Sequence, residues 1–134
     1  MRVVFDTNVL LAAFLTEGLC AKLLIRARKR NFDLFLCPCL LTEFKRVLTK
    51  KFKANHEETA ATLALLSEAV HSVITPETQV TGVCRDRDDD QVLACAHAAE
   101  ADYLVTGDED LLVLRQFEDT CILNPRDFEA LMEE

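Results

Sequence analysis

The chain has 134 residues, of which 50% are hydrophobic and 28% are charged, a composition typical of one compact folded domain and not of a disordered segment. It begins without an apolar leader, and no apolar run approaches the roughly 18 residues of a membrane span, so we expect a cytoplasmic protein. The net charge of −8 argues against a general binder of polyanions.

In chain order, hydrophobic periodicity predicts strands that alternate with helices. Strands are predicted over residues 3–5, 33–37, 71–74, 103–106 and, as a last edge strand, 121–123. Helices are predicted over residues 8–15, 19–30, 40–52, 55–70, from the acidic run 86–90 to residue 99, from residue 108, and over 125–133. This alternation predicts one α/β domain over residues 1–134, with a parallel sheet and helices on both of its faces.

The basic residues are concentrated in one segment. Between Lys22 and Lys53 lie ten basic residues and only two acidic ones, a net charge of +8, so the rest of the chain carries −16. This division predicts two faces, one that can bind phosphates and one that binds metal or repels phosphates. The alternative is a solvated basic helix face.

Several common sites are excluded or weakly supported. With three glycines the chain has no glycine-rich phosphate loop, and its two serines and three histidines do not fit an acyl-transfer triad. The six cysteines lie in apolar stretches, typical of reduced core thiols, and only Cys37 and Cys39 are close in sequence. With no second pair and no well-spaced histidine, these two make a weak case for zinc.

The first strand ends abruptly at an aspartate. Val3, Val4 and Phe5 read as a buried strand, and Asp6 follows at its carboxyl end, where an open α/β sheet presents groups to a ligand crevice. The alternative is that Asp6 or Thr7 only caps the next helix.

Further carboxylates occupy equivalent places. Asp89 lies at a helix start, Asp108 and Asp110 follow a strand, and Glu43 comes from a helix whose inner face leans toward the same edge. Converging carboxylates repel one another unless cations intervene, and a set of hard oxygen ligands favours Mg²⁺ or Mn²⁺. For the other aspartates of the run 86–90, helix capping is the preferred interpretation.

Such ions activate a bound water and stabilise a phosphoryl oxygen, which phosphodiester hydrolysis requires. The basic segment would then bind the phosphate backbone of the substrate while the acidic pocket hydrolyses a phosphodiester bond. The RNA-binding candidates in it are Lys45, Arg46, Lys50 and Lys51.

Four segments of the chain resemble the PIN-domain ribonucleases, and within them the toxin components of bacterial and archaeal toxin–antitoxin systems. They are residues 4–10 (VFDTNVL), 41–48 (LTEFKRVL), 84–90 (CRDRDDD) and, most specifically, 101–112 (ADYLVTGDEDLL). The resemblance implies a Mg²⁺- or Mn²⁺-dependent endoribonuclease on a three-layer α/β/α sandwich. It also implies homodimers and an antitoxin partner.

The resemblance assigns roles by motif. It implies an acidic quartet around the metal and Asp110 as a further metal ligand. It also implies that Asn8 and Thr106 support the pocket by hydrogen bonds. The quartet comprises Asp6, Glu43, Asp89 and Asp108.

Within the acidic run, Asp89 is assigned because the family places its acid seven residues before a small helix residue, here Ala96, and Asp90 is the alternative. Arg87 departs from the family, where proline is usual at this position.

Two other functions are weighed against this one. Aspartate-nucleophile phosphatases also begin with an aspartate at the first strand end, but they need a second aspartate two residues later, where this chain has Asn8. A catalytically inactive PIN-like module that binds RNA or protein is the second alternative, and it would be expected to have lost one or more of the acids. The sequence leaves the RNA substrate open.

Overall fold

A computed structural model describes residues 1–133 of the chain. Its strands are β1 (Arg2–Phe5), β2 (Asp33–Leu36), β3 (Val70–Val73), β4 (Tyr103–Val105), β5 (Gln116–Phe117) and β6 (Thr120–Leu123). Its helices are α1 (Thr7–Leu15), α2 (Leu19–Arg28), α3 (Pro38–Lys50), α4 (His56–Ala69), α5 (Arg87–Ala98), α6 (Glu109–Leu112) and α7 (Pro125–Met132).

The strands form one sheet in the order β3-β2-β1-β4-β6-β5. All neighbouring pairs are parallel except β5 and β6, which are antiparallel. The predicted parallel sheet is confirmed for five of the strands, but residues 121–123 do not form its edge, because β5 pairs with β6 there. A two-residue strand such as β5 is too short to produce a hydrophobic period, and its pairing depends on the tight turn at Glu118, whose φ is 51°.

Most predicted boundaries agree with the structure to within two residues, because local signals set them. Asn55 forms a capping box with Glu58 at the start of α4, and Pro38 occupies the first turn of α3. The helix predicted to reach residue 30 ends at Arg28, since Arg30 adopts a left-handed backbone with a φ of 62°.

The core lies on both faces of β1. Val3, Val4 and Phe5 are fully buried, and the Phe5 ring packs against Phe32 and Phe128 with centroid separations of 5.8 and 6.3 Å. Helices α1 to α4 pack against one another and α7 joins α2, while α5 contacts β1. The chain is a three-layer α/β/α sandwich, as predicted.

The strand order places a crevice beside β1. The chain winds outward from β1 through β2 to β3 and then returns to the other side of β1 with β4. Parallel sheets bind ligands at such a reversal, outside the carboxyl ends of the strands. In this fold the carboxyl ends of β1 and β4 lead into Asp6 and Thr106.

One expectation about side chains is corrected. Only Cys37 and Cys95 are buried among the six cysteines, and Cys121 is exposed, so the apolar sequence context overstated their burial.

No single helix within residues 1–133 is long and apolar enough to cross a membrane. Helices α1 and α2 reach the necessary length and hydrophobicity only when they are taken together, across a bend of 100°.

Candidate metal centre

Asp6 lies beside Thr106 because β1 and β4 pair in register, with Phe5 opposite Val105. The Asp6 side chain is 6% exposed, and its Oδ1 accepts a hydrogen bond of 2.7 Å from the backbone N–H of Thr7 at the start of α1. Its Oδ2 accepts one of 2.7 Å from the hydroxyl of Thr106. Asp6 therefore caps α1 and is also fixed in the crevice, so the two interpretations of this residue are compatible.

Asp108 is tied to the same threonine. Its backbone N–H donates to Thr106 Oγ1 at 3.0 Å, and its Oδ1 accepts from the backbone N–H of Asp110 at 2.8 Å as it caps α6. The fully buried Thr106 thus links the acids that follow β1 and β4.

Within the aspartate run, the capping interpretation holds for Asp86 but not for Asp90. Asp86 caps α5 by accepting from the backbone N–H of Asp88 at 2.9 Å. Asp90 accepts from the backbone N–H of Cys84 at 2.8 Å and so holds the preceding loop. Arg87 is the first helical residue, the place where proline is also favoured.

Asp89 lies in the first turn of α5 and is only 7% exposed. Among the described residues, its Oδ2 is one of two buried side-chain polar atoms that have no hydrogen-bond partner. A buried carboxylate oxygen without a partner is costly, and a bound cation removes that cost.

Glu43 reaches the crevice from the second turn of α3. The hydroxyl of Thr7 donates to its Oε2 at 3.4 Å. The side chain is half-buried.

These residues surround a small pocket of about 120 Å³. Six of its nine lining residues are acidic, and the lining comprises Asp6, Thr7, Asn8, Glu43, Asp86, Asp88, Asp89, Val92 and Asp108. All four acids of the predicted quartet, and Asn8, are brought together. A larger cavity of about 590 Å³ lies away from these acids, near Asp102 and Thr120 at the amino ends of β4 and β6.

Asp110 does not line this pocket. One of its oxygens nevertheless lies within 4.8 Å of ligand atoms of Asp89 and Asp108, so these three acids also form a group able to hold a metal. Its Oδ1 accepts a hydrogen bond of 2.7 Å from Nη2 of Arg85.

Burial and mutual repulsion raise the pKa of three of the acids. Desolvation, with repulsion from Asp108 in second place, raises the pKa of Asp89 to about 7. Desolvation also raises the pKa of Asp6 and of Glu43, and neighbouring carboxylates add to both shifts. Carboxylates held together at such a cost, with only oxygen donors, suit a hard divalent cation such as Mg²⁺ or Mn²⁺.

The predicted RNA-binding residues are all exposed on α3 or at its end. Arg46 lines a shallow groove with Glu43 and Asp88, directly beside the carboxylate pocket. Helical periodicity places Lys50 on the same side as Glu43, whereas Lys45 lies about 160° away around the helix axis.

Other basic residues have structural partners. Arg28 pairs with Glu68 at 3.3 Å, and Arg30 donates to the backbone carbonyls of Glu68 and Ala69. These contacts fix α2 to α4, so part of the basic segment serves the fold.

Sequence reasoning missed three charged residues at or near the site. Asp86 and Asp88 line the pocket, and Asp88 raises the pKa of Glu43, although capping was the preferred interpretation for both. Arg85 contacts Asp110 across 25 positions of sequence, and no local pattern reports such a contact.

The fold and the pocket define a class: a doubly wound α/β protein with a carboxylate cluster at the point where the strand order reverses. Residues 2–110 match the PIN domain family. The chain belongs to this family, whose members are generally nucleases.

The fold is also similar to that of a solved structure. A chain in the crystal structure of VapBC2 from Rickettsia felis bound to a DNA fragment from their promoter superposes with a TM-score of 0.67. The two are 15% identical, and the match covers 92% of this chain and 98% of that one. No curated protein sequence matches the chain.

Proposed function

We propose that this protein is a Mg²⁺- or Mn²⁺-dependent endoribonuclease and the toxin of a toxin–antitoxin pair. One observation carries the proposal: Asp6, Glu43, Asp89 and Asp108 line one pocket of about 120 Å³, in a chain of the PIN domain family. Asp89 Oδ2 is buried and has no hydrogen-bond partner among the described residues, which supports its assignment as a ligand of the cation.

Asp6, Asp89 and Asp108 would hold the metal. A bound divalent ion lowers the pKa of water and neutralises charge that develops on a phosphoryl oxygen. Thr106 keeps the carboxylates of Asp6 and Asp108 in place through its hydrogen bonds to both residues.

Glu43 would accept a proton from the attacking water. It lies at the rim of the pocket, half-buried, and its pKa is raised by desolvation and by Asp88 and Asp6. A carboxylate with a raised pKa is better suited to accept a proton from the attacking water at neutral pH. Asn8 lines the same pocket, and its side-chain amide can donate to a carboxylate or to substrate.

The biological setting is inferred from similarity. The resemblance of the four segments to toxin components and the fold similarity to a chain of VapBC2 both support an antitoxin partner. We propose in addition a homodimer that acts in the cytoplasm. The RNA would lie along α3, since Arg46 borders the pocket.

The decisive experiment is cleavage of a labelled RNA pool of mixed sequence by the purified protein, with and without Mn²⁺. Wild type and the control Asp119→Asn, an exposed residue away from the pocket, should cut only with metal. Asp6→Asn and Asp89→Asn should lose at least about 100-fold in rate, as expected when a charge at a metal centre is removed. Cleavage that survives either substitution contradicts the metal mechanism.

The same assay separates the nuclease from a binding module without catalysis. If no metal supports cleavage but the protein still retains labelled RNA on a filter, the binding module is the better description.

A further inference from the structure

Arg85 is a cation at the edge of an acidic site. Its side chain is 86% exposed, and its Nη2 lies 2.7 Å from Asp110 Oδ1. Exposed ion pairs contribute little to stability, roughly 0–1 kcal/mol in general. The contact therefore matters less for the fold than for where it holds the guanidinium.

Asp110 contacts Arg85 directly, with 2.7 Å between its Oδ1 and Arg85 Nη2, whereas the ligand atoms of Asp89 and Asp108 are placed only within 4.8 Å of one of its oxygens. It is not among the residues that line the pocket, and its Oδ1 is engaged by the guanidinium. Its backbone N–H is bound to Asp108 Oδ1, so the acid that caps α6 and the acid that holds Arg85 are locked together. Arg85 is thereby held beside Asp110, which is itself hydrogen-bonded to the pocket acid Asp108.

A phosphate that approaches this pocket meets strong repulsion. Six carboxylates line it, and a bound divalent ion neutralises only part of their charge. Arg46 lies beside Glu43 in the groove next to the pocket, and Arg85 lies beside Asp110, an acid that neighbours Asp89 and Asp108. A guanidinium has five N–H donors in a planar fork, and the hydrogen bond to Asp110 uses one of them, so the others remain for phosphate oxygens.

We infer that Arg85 binds a backbone phosphate of the RNA at the entrance to the carboxylate pocket, and that Asp110 is a positioning residue that acts through Arg85 and not as a metal ligand. The inference rests on the proposed nuclease function and adds a substrate contact to it. It also gives different roles to two aspartates of one motif, Asp108 at the metal and Asp110 at the arginine.

The test measures metal binding and RNA cleavage separately. Mn²⁺ affinity is measured by calorimetry without RNA for wild type, Asp110→Asn and Asp89→Asn. Steady-state cleavage of labelled single-stranded RNA is then measured for Asp110→Asn, Arg85→Ala, Arg85→Lys and the double variant. Arg126→Ala, an exposed arginine on α7, is the matched control.

The expected result has three parts. Asp110→Asn keeps its Mn²⁺ affinity within about twofold of wild type, whereas Asp89→Asn loses at least tenfold. Arg85→Ala and Asp110→Asn each raise the KM for RNA about tenfold with a smaller effect on kcat, and the double variant is no worse than Arg85→Ala, as expected for two residues that act as a unit. Arg85→Lys restores only part of the loss, because an ammonium lacks the planar fork.

Two results overturn the inference: a loss of Mn²⁺ affinity in Asp110→Asn equal to that in Asp89→Asn, or an unchanged KM in Arg85→Ala. A wild type that binds Mn²⁺ but cuts no RNA overturns the proposed reaction alone. In that case the Arg85 contact is judged from the RNA dissociation constants of the same variants in Mn²⁺, where an unchanged value for Arg85→Ala overturns it.

Discussion

The hydroxyl of Thr106 donates a hydrogen bond of 2.7 Å to Asp6 Oδ2, joining the ends of the two central strands. The same oxygen accepts from the backbone N–H of Asp108 at 3.0 Å. One buried hydroxyl therefore sets the relative positions of two of the proposed metal ligands, and it does so by satisfying both its donor and an acceptor site.

Thr106→Val tests this arrangement, since it keeps the shape of the side chain and removes the hydroxyl. We expect a loss of about 1–3 kcal/mol in the free energy of unfolding, because Asp6 and the Asp108 N–H are both left with an unmet hydrogen bond. Mn²⁺ affinity should fall at the same time. Thr106→Ser, which retains the hydroxyl, should keep the affinity, and equal affinities for the valine and serine variants would contradict the proposed support of Asp6.

Asp89 gives a prediction about pH. In the folded protein without metal its pKa is raised to about 7, whereas in the unfolded chain it stays near its ordinary value of 3.8. The folded state therefore keeps a proton that the unfolded state releases, so stability falls as the pH rises from about 4 to about 7. The full shift of about three pKa units corresponds to roughly 4 kcal/mol, and the opening of the pocket to solvent reduces this to about 1–2 kcal/mol.

The corresponding variant is Asp89→Asn, measured by urea unfolding at pH 4 and pH 8 in the presence of a chelator. We expect it to be more stable than wild type by about 1–2 kcal/mol at pH 8 and equal to it at pH 4. Mn²⁺ should stabilise wild type at pH 8 and leave the variant unchanged. A difference between variant and wild type that does not depend on pH would rule out this electrostatic origin, and Asp119→Asn should show no difference at either pH.

Asn55 tests the fold away from the site. Its side chain accepts from the backbone N–H of Glu58 at 2.8 Å, and Glu58 Oε1 accepts from the backbone N–H of Asn55 at 3.0 Å. Asn55→Ala should lower the free energy of unfolding by about 1 kcal/mol in a urea titration, while Asn55→Asp should cost much less. RNA cleavage by the folded alanine variant should equal that of wild type, and a loss of activity would show that α4 contributes to the site.

Local signals made most of the fold predictable. Asn55 with Glu58 marks a helix start, Pro38 marks another, and the run Val3 to Phe5 reads as a buried strand. The antiparallel pairing of β5 with β6 was missed because two residues carry no period.

The candidate site was predictable wherever an acid directly follows a strand or opens a helix, as Asp6, Asp89 and Asp108 do. Glu43 depended more on the family resemblance, since its place in the pocket is set by the packing of α3 against α1. The contact between Arg85 and Asp110 depends on the path of the loop before α5. The sequence has no signal for that path, because hydrogen bonds such as the one from Cys84 N–H to Asp90 determine it.

The periodicity of α3 predicts which basic residues bind RNA. Arg46 and Lys50 follow Glu43 by three and seven residues and so share its side of the helix, whereas Lys45 points away. We expect Arg46→Ala to raise the KM for RNA the most, about tenfold, because Arg46 lines the groove beside the pocket. Lys50→Ala should raise it severalfold, because Lys50 lies on the same side of α3 one turn further on. Each of these two substitutions should also reduce the slope of log KM against log salt concentration, by up to one unit, as expected when one phosphate contact is lost. Lys45→Ala removes the same charge from the same helix and is the matched control. An equal effect of Lys45→Ala on KM would mean that net charge alone determines RNA binding, and not the side of α3 that carries Glu43.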